Sequence, residues 1–529
     1  MSTAPPSRAV TAAWTAVGVV TSVYYFSWLL QPVHAGAPLL FGLLIVADLF
    51  NGFHAFSFWL TCLRRPRART FVAPAAPRVD VLVPTYNEPV EILERTLLAA
   101  AQMTGAVVRV LLLDDGDRPE MARLAARTGA RYVSRSEHRG AKAGNVNHAL
   151  RTTAVDGAPF VCVFDSDHVP RPNFLARTLG YFADPVVGLV QTPQVYANAD
   201  AGPITRGAAE QQAIFFGPIC SGRDGYDSSF CCGTNFVARR EALALAGGFP
   251  EDSITEDIVL STTLVGLGYE IVFVPEPLAD GLGPEDAHSY VSQQMRWATG
   301  CLELLFRRPQ LWRPLSWVQR WQYLVATSHW LTGWTILVYV SLPIVRLLFG
   351  WQPVTDSAGA FATHFLPYFL VSVINLGRFT GGGYGLSGLA MTWGSFPIHV
   401  RATLVALSGK RIGFAVTPKR ALSGIPWSAL SPNLALIALL LGAVAAGIAR
   451  GLTPATFNNV AFALIDATLA GLIVVFALRQ AGGLKKASAQ AGPDATRPES
   501  ASPPRFEHAQ RSDRHLTGQA EPESALRGS

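Results

Sequence analysis

Two carboxylates one residue apart, in Asp165-Ser166-Asp167, follow the apolar run at 160–164. Paired hard oxygen donors just past a strand terminus suit Mg2+ or Mn2+, and Mg2+ normally shares its remaining positions with substrate phosphates. Lys142 lies upstream in His138-Arg139-Gly140-Ala141-Lys142-Ala143-Gly144-Asn145, where small neighbours let an ammonium approach a diphosphate closely. Thr255-Glu256-Asp257 opens an apolar helical stretch at 258–267, and a carboxylate there can deprotonate an incoming hydroxyl. In Gln293-Gln294-Met295-Arg296-Trp297, the side chains of Gln293, Arg296 and Trp297 fall on one helical face. Arg neutralises a phosphate bidentately, and Trp offers a flat surface for a ring to stack on. Each feature also has a plainer reading. Asp and Asn are ordinary turn residues and helix caps, and Arg and Trp are common on helices at a membrane surface. The succession of all these features in one chain favours chemistry.

The elements that must position them alternate. Residues 79–84 are a buried strand ending in the turn Thr85-Tyr86-Asn87-Glu88-Pro89, and 90–102 is helical. A second apolar run at 107–113 ends in Asp114-Asp115-Gly116, followed by a helix at 119–128, a short strand at 131–134 and the strand at 160–164. Strand, helix, strand in this order implies an α/β domain with a mostly parallel sheet and right-handed crossovers. Ligands of such sheets bind at the carboxyl ends of the strands. Three polar turns lie there: 85–88, 114–115 and 165–167.

Around this domain the composition changes. Of 529 residues, 50% are hydrophobic and 15% charged, with a mean hydropathy of +0.26. Soluble chains carry about 25% charged residues, so the apolar excess points to a bilayer. A disordered regulator, a coiled coil and a nucleic-acid module fit poorly. Six cysteines without a C-x-x-C pair indicate neither a disulfide framework nor a zinc site. Apolar runs at 11–31 and 39–63 read as a helical hairpin, since a span needs about 20 apolar residues. Further runs lie at 323–345, 364–376, 433–448 and 460–478. The segment 386–407 is apolar but carries Pro397, His399 and Arg401, and reads as one amphipathic helix at the interface. Basic residues at 64–69, 410–420 and 479–486 place the soluble domain (64–320), the 410–420 loop and the tail in the cytoplasm. That reading gives two spanning helices (1–63) before the domain and four after it (321–480). The tail from 481, rich in Ala, Ser, Pro and charge, reads as disordered.

Taken in order, Asp-Asp-Gly, Lys-Ala-Gly-Asn, Asp-x-Asp, Thr-Glu-Asp and Gln-x-x-Arg-Trp resemble the motifs of processive family 2 glycosyltransferases, and most closely those of bacterial cellulose synthase catalytic subunits. Pro84-Thr85-Tyr86-Asn87-Glu88-Pro89, Gln191-Thr192-Pro193, Phe215-Phe216-Gly217, Phe230-Cys231-Cys232-Gly233 and Arg296-Trp297-Ala298-Thr299-Gly300 are similar to stretches of that family. So is Phe414-Ala415-Val416-Thr417-Pro418-Lys419, which looks like its gating loop.

The resemblance implies a GT-A-type cytoplasmic domain inserted in a polytopic helical membrane domain of an inner (plasma) membrane. It implies an inverting, UDP-sugar-dependent hexosyltransferase that polymerises glucose from UDP-glucose into a β-glucan, β-1,4 or β-1,3, and exports it through its own channel. Thr85, Tyr86 and Glu88, with Asp114 or Asp115, would hold the uridine. Lys142, Gln293 and Arg296 would meet the diphosphate. Asp165 and Asp167 would bind UDP and the Mg2+ or Mn2+. Asp257, beside Glu256, would be the base. Trp297, Cys232 and Gly233 would border the acceptor sugar, and Phe414, Val416, Thr417 and Lys419 would close over the nucleotide. Aromatic residues such as Trp330, Trp334 and Tyr339 would line the exit path. Where the cellulose enzymes often have Cys-Gly-Ser, Cys232-Gly233-Thr234-Asn235 stands near the acceptor, which leaves the sugar and linkage open. A synthase using UDP-N-acetylglucosamine, of the chitin or hyaluronan kind, and a transferase to a lipid-linked acceptor are alternatives. The gating loop and Gln-x-x-Arg-Trp argue against the lipid-linked one. Intact Asp165, Asp167 and Asp257 oppose a transporter or scaffold with a degenerate domain. The tail leaves no room for a cyclic di-GMP-sensing barrel, and nucleic acid is not an expected partner.

Overall fold

The computed structural model describes residues 6–73, 75–308, 312–409, 425 and 427–491. It divides at Lys485 into the unit described below and a C-terminal unit, of which residues 486–491 alone are described, as helix.

Ten strands form in chain order: β1 (Arg78–Thr85), β2 (Val107–Asp114), β3 (Arg131–Ser134), β4 (Phe160–Val163), β5 (Val169–Pro170), β6 (Val187–Gln191), β7 (Val195–Tyr196), β8 (Phe236–Arg239), β9 (Glu270–Phe273) and β10 (Ala279–Gly281). Seven make one sheet in the order β3-β2-β1-β4-β8-β6-β9. The half from β3 to β4 is parallel, β8 runs antiparallel to both neighbours, and β6 and β9 are parallel. Strands β5, β10 and β7 form a second, small sheet. Parallel strands covered on both faces read as continuous apolar runs, and β1 is buried from Val79 through Thr85.

Asp80 breaks that apolar run and is still buried. Its carboxylate accepts from Arg109 at 2.7 and 2.9 Å, from Arg240 at 2.5 Å and from the Ala158 N–H at 2.9 Å. One buried charge thus ties β1, β2, the turn before β4 and the helix after β8. Asp80→Ala strands the partly buried Arg240 guanidinium, and denaturant unfolding of the detergent-solubilised protein is expected to show a loss of about 3 kcal/mol.

Among the described residues six helices are long and apolar enough to cross a membrane: Arg8–Leu29, Pro38–Leu63, Trp317–Phe349, Ala358–Phe379, Trp427–Ala449 and Pro454–Gly483. The connection from the second of these to β1 is pinned to the soluble domain. Buried Asp224 accepts from the Arg67 N–H at 2.8 Å and from the Arg69 guanidinium at 2.7 Å.

Two expectations change here. The segment 386–407 is two helices, Leu386–Gly394 and Phe396–Ser408, broken at Ser395. Pro397, in the first turn of the second helix, has no N–H to continue the first one's ladder. The glycines around 381–388 are joined to the soluble domain by Glu210, whose carboxylate accepts from the Gly385 and Gly388 N–H groups at 3.0 and 2.6 Å. The last helix continues to Ala491, beyond the point where a disordered tail is expected; Lys485-Lys486-Ala487-Ser488-Ala489-Gln490-Ala491 is rich in good helix formers. Residues 492–529 lie outside the described residues.

Candidate active site

The turns at the carboxyl ends of β1, β2 and β4 open onto one cavity of about 1180 Å3. Thr85, Tyr86 and Glu88 line it beside Asp115, Lys142, Asp165 and Asp167. Glu88 shapes its own turn, accepting from the Thr85 hydroxyl at 2.7 Å and the Tyr86 N–H at 2.8 Å, which leaves the Tyr86 ring exposed. Of the two adjacent aspartates after β2, only Asp115 faces the cavity. Asp114 is wholly buried and accepts from the Gly116 and Arg118 N–H groups, the Arg118 guanidinium and the Tyr132 hydroxyl. Successive residues leaving a strand point to opposite sides, so one aspartate builds the turn and the other lines the wall. Asp115 is held by Arg135, at 2.5 and 2.8 Å.

The Asp165–Asp167 turn is fixed from behind. The Thr234 hydroxyl accepts the Asp165 N–H at 2.8 Å. Thr234 is buried and is not part of the cavity wall, so this departure from the Cys-Gly-Ser pattern supports the carboxylate turn. A serine hydroxyl there would make the same bond. Asp165, Asp167 and His168 bring ligand atoms within 4.8 Å of one another. His168 is the residue that reading the sequence for carboxylates misses; its place directly after Asp-x-Asp is the available signal.

Lys142 pairs with Asp165 and donates to the Gly233 carbonyl at 2.7 Å. Burial works against its charge, yet Asp165 and Glu256 raise its pKa above the usual lysine value. Burial likewise opposes charge on Asp165, but Lys142 and His168 hold its carboxyl below the ordinary range. Gly233 has φ +81°, and a Cβ there would lie 3.3 Å from the Asp257 carboxylate. Glycine thus lets the Phe230-Cys231-Cys232-Gly233 loop pass between Lys142 and Asp257. Gln191 sets that loop, accepting the Cys232 N–H at 2.7 Å and donating to the Thr234 carbonyl at 2.8 Å.

Glu256 and Asp257 occupy the first turn of the helix Glu256–Gly266 and both face the cavity. Burial, with Glu256 beside it, pushes the Asp257 carboxyl up to about 7. Burial also raises Glu256, with Lys142 pulling the other way. Gln293, Arg296 and Trp297 come from one side of the helix Ala287–Arg307, and all three line the cavity. This helix is set against Phe396–Ser408 through Leu302 and the small residues Ala298, Ala402 and Ala406, which permit close approach. Phe215 and Phe216 lie in a π-helical turn, Phe215–Ile219, that contains Pro218, and both also face the cavity.

The same cavity continues between the membrane helices, where Trp330 and Tyr339 line it. Trp334 does not; it is turned outward at 37% exposure, because the cavity-facing positions of its helix follow a spacing of three to four residues. Phe414, Val416, Thr417 and Lys419 lie outside the described residues. Every other residue singled out for chemistry, Asp114 excepted, meets in this one space.

Comparison with known proteins adds the following. Residues 160–376 match the family described as Glycosyl transferase family group 2. A putative cellulose synthase 2 from Komagataeibacter xylinus is 35% identical over 387 residues, which are 70% of this chain and 25% of that one. A cellulose synthase catalytic subunit (UDP-forming) from Pseudomonas fluorescens strain SBW25 is 32% identical over 469 residues, 84% of this chain and 62% of that one. The chain therefore spans only part of these relatives' length. A mannosyltransferase from Pyrobaculum calidifontis, solved with GDP-Man and Mn2+, aligns over 70% of this chain and all of its own, with 20% identity and a TM-score of 0.49.

Proposed function

We propose that this chain, whose residues 160–376 match the family described as Glycosyl transferase family group 2 and whose long apolar helices flank that region, is a processive, inverting synthase that polymerises glucose from UDP-glucose into a β-glucan. The observation that carries this reading is the single cavity. Carboxylates and cations separated by more than a hundred residues share it, and it runs on between apolar helices. A soluble transferase needs no such extension; an enzyme whose polar product must leave through hydrocarbon does.

In this reading Tyr86, Glu88 and Asp115 hold the uridine, with Thr85 setting their turn. Lys142, Gln293 and Arg296 meet the diphosphate. Hard carboxylate oxygens from Asp165 and Asp167, clustered with His168, fit a divalent ion such as Mg2+ or Mn2+. When bound, that ion would neutralise charge on the diphosphate. Trp297, Cys232 and Gly233 border the acceptor sugar. The acceptor hydroxyl loses its proton to Asp257 and forms a bond to the anomeric carbon as the bond from that carbon to UDP breaks. Lys142 and Arg296 receive the negative charge of the departing UDP. One displacement inverts an α-linked donor to a β-linkage. The soluble domain lies on the cytoplasmic side of a plasma membrane, where UDP-sugars are made.

A base must be ionised to work. With its carboxyl near 7, Asp257 is mostly protonated below neutrality, so kcat/KM is expected to fall about tenfold per pH unit on the acid side. Glu256→Gln removes the neighbouring negative charge and should move that limb to lower pH. An acid limb unmoved by Glu256→Gln would contradict the pairing; a pH–rate profile of UDP release reads both. Sugar choice is tested by the same assay with UDP-glucose, UDP-N-acetylglucosamine and UDP-glucuronate offered separately. The reading requires UDP-glucose to be the best donor, and a preference for UDP-N-acetylglucosamine would transfer the assignment to a chitin-like synthase.

A further inference from the structure

The basic run after the second membrane helix divides in two. Arg67 and Arg69 turn to the soluble domain: Arg67 pairs with Glu270 at 3.3 Å and Asp227 at 3.5 Å, and Arg69 with Asp224 at 2.7 Å. Arg64 and Arg65 are exposed, and none of the described carboxylates pairs with them. Arg64 lies over the Tyr226 ring at 5.0 Å. Arg65 donates to the Pro6 carbonyl at 2.5 Å, just before Arg8 opens the first membrane helix. Arg378, in the last turn of the helix Ala358–Phe379, lies over the Trp14 ring at 4.6 Å. Asn375 of that helix donates to the Trp14 carbonyl at 3.3 Å, and Phe379 packs with Trp14, Trp59 and Cys62. The start of Arg8–Leu29, the end of Pro38–Leu63 and the end of Ala358–Phe379 thus meet at one corner of the membrane domain, on the side of the soluble domain. That corner carries four exposed guanidiniums, Arg8, Arg64, Arg65 and Arg378. The first and third of these helices contain no Asp or Glu, and the one acid of the second, Asp48, lies near its middle.

Like charges gathered this way repel one another, so an anion from outside the chain stabilises them. Helix ends lie at the level of lipid phosphates, and Trp and Tyr rings such as those under Arg378 and Arg64 belong to that level. Basic groups between helix ends on the cytoplasmic side bind anionic headgroups, and a guanidinium takes a phosphate bidentately. We infer that Arg8, Arg64, Arg65 and Arg378 form a headgroup site for an anionic phospholipid of the adjoining leaflet. The inference needs the chain to sit in a bilayer and is independent of the sugar it transfers. The same corner carries the soluble domain. Tyr226, under Arg64, donates to the Leu60 carbonyl at 3.3 Å, and Gly222 and Gly225 leave no room for a Cβ against the Thr61 and Arg65 carbonyls. The helix Cys220–Gly225, which holds both glycines, follows directly on the π-helical turn that faces the cavity.

The test places the full chain in phosphatidylcholine nanodiscs at about 0.1 M salt and compares how much spin-labelled phosphatidylglycerol and spin-labelled phosphatidylcholine the protein immobilises. The wild type is expected to prefer phosphatidylglycerol by about 5-fold or more. Arg378→Gln, whose guanidinium makes no described hydrogen bond, should cut that preference about 2–5-fold. Arg64→Gln, Arg65→Gln and Arg378→Gln combined should remove it. Arg67→Gln loses the same charge from a paired position and should leave the preference unchanged. A wild type without the preference, a preference kept by the triple variant, or an equal loss in Arg67→Gln overturns the inference. So does displacement of the labelled phosphatidylglycerol by millimolar inorganic phosphate, which would make this a site for free phosphate. Failure of the wild type to bind UDP would contradict the synthase reading and leave this inference standing.

Discussion

Asp257→Asn is expected to lower sugar transfer by about 10²–10⁴-fold, the usual worth of a positioned base, while leaving UDP affinity nearly unchanged. The amide keeps the volume and still accepts from the Ile258 N–H, at 2.9 Å in the native chain. What it loses is the capacity to take a proton. Three features would suit Asp257 to the proposed role of base. The helix start at Glu256–Gly266 aims it into the cavity, Gly233 leaves room beside it, and the burial that raises its carboxyl to about 7 makes it a better base than an exposed aspartate. Calorimetric titration with UDP separates the two effects. Lost UDP binding in Asp257→Asn would mean that the residue holds the nucleotide.

Removing the divalent ion, or its carboxylates, should be as severe and should act at a different step. Asp165→Asn and Asp167→Asn, and chelation of the wild type with EDTA, are each expected to leave only residual transfer and to weaken UDP binding at least tenfold, about 1.4 kcal/mol. Asp165 is paired with Lys142 in this structure. Without the carboxylate, Lys142 would be drawn to Glu256 and Asp257, the other carboxylates that act on it, so Asp165→Asn should also disturb the base, whereas Asp167→Asn should not. The pH–rate profile of residual activity distinguishes them. Activity that survives EDTA and returns no further on adding Mg2+ or Mn2+ would contradict the metal assignment.

The strands and their polar turns are legible in the sequence because parallel, doubly covered strands leave apolar runs that end sharply at Thr85, Asp114 and Val163. The convergence of those turns follows from topology, since ligands gather at the carboxyl ends of parallel strands. Side-chain direction is what the sequence conceals. Asp114 and Asp115 are the same residue type one position apart, yet one is locked into the turn by Arg118 and Tyr132 while the other faces the cavity. Thr234 follows Cys232-Gly233 in the cavity wall but turns its own hydroxyl to the Asp165 N–H. Trp334 shares the composition of Trp330 and Tyr339 and differs only in its position around the helix. His168 joins Asp165 and Asp167 through an imidazole, and its place directly after Asp-x-Asp is what marks it in the sequence. The break at Ser395 depends on packing: its hydroxyl meets that of Tyr290, 105 residues away, at 3.0 Å.

Polymer synthesis shows whether these distant groups act together on one sugar nucleotide at the mouth of a membrane path. Purified, reconstituted protein is given radiolabelled UDP-glucose and Mg2+, and the insoluble product is digested with β-1,4- and β-1,3-specific glucanases. A high-molecular-weight glucan, degraded by one of the two enzymes and absent with Asp257→Asn, is the expected product. UDP-glucose consumed without any chain longer than a few sugars, or no polymer from any nucleotide sugar, would contradict it.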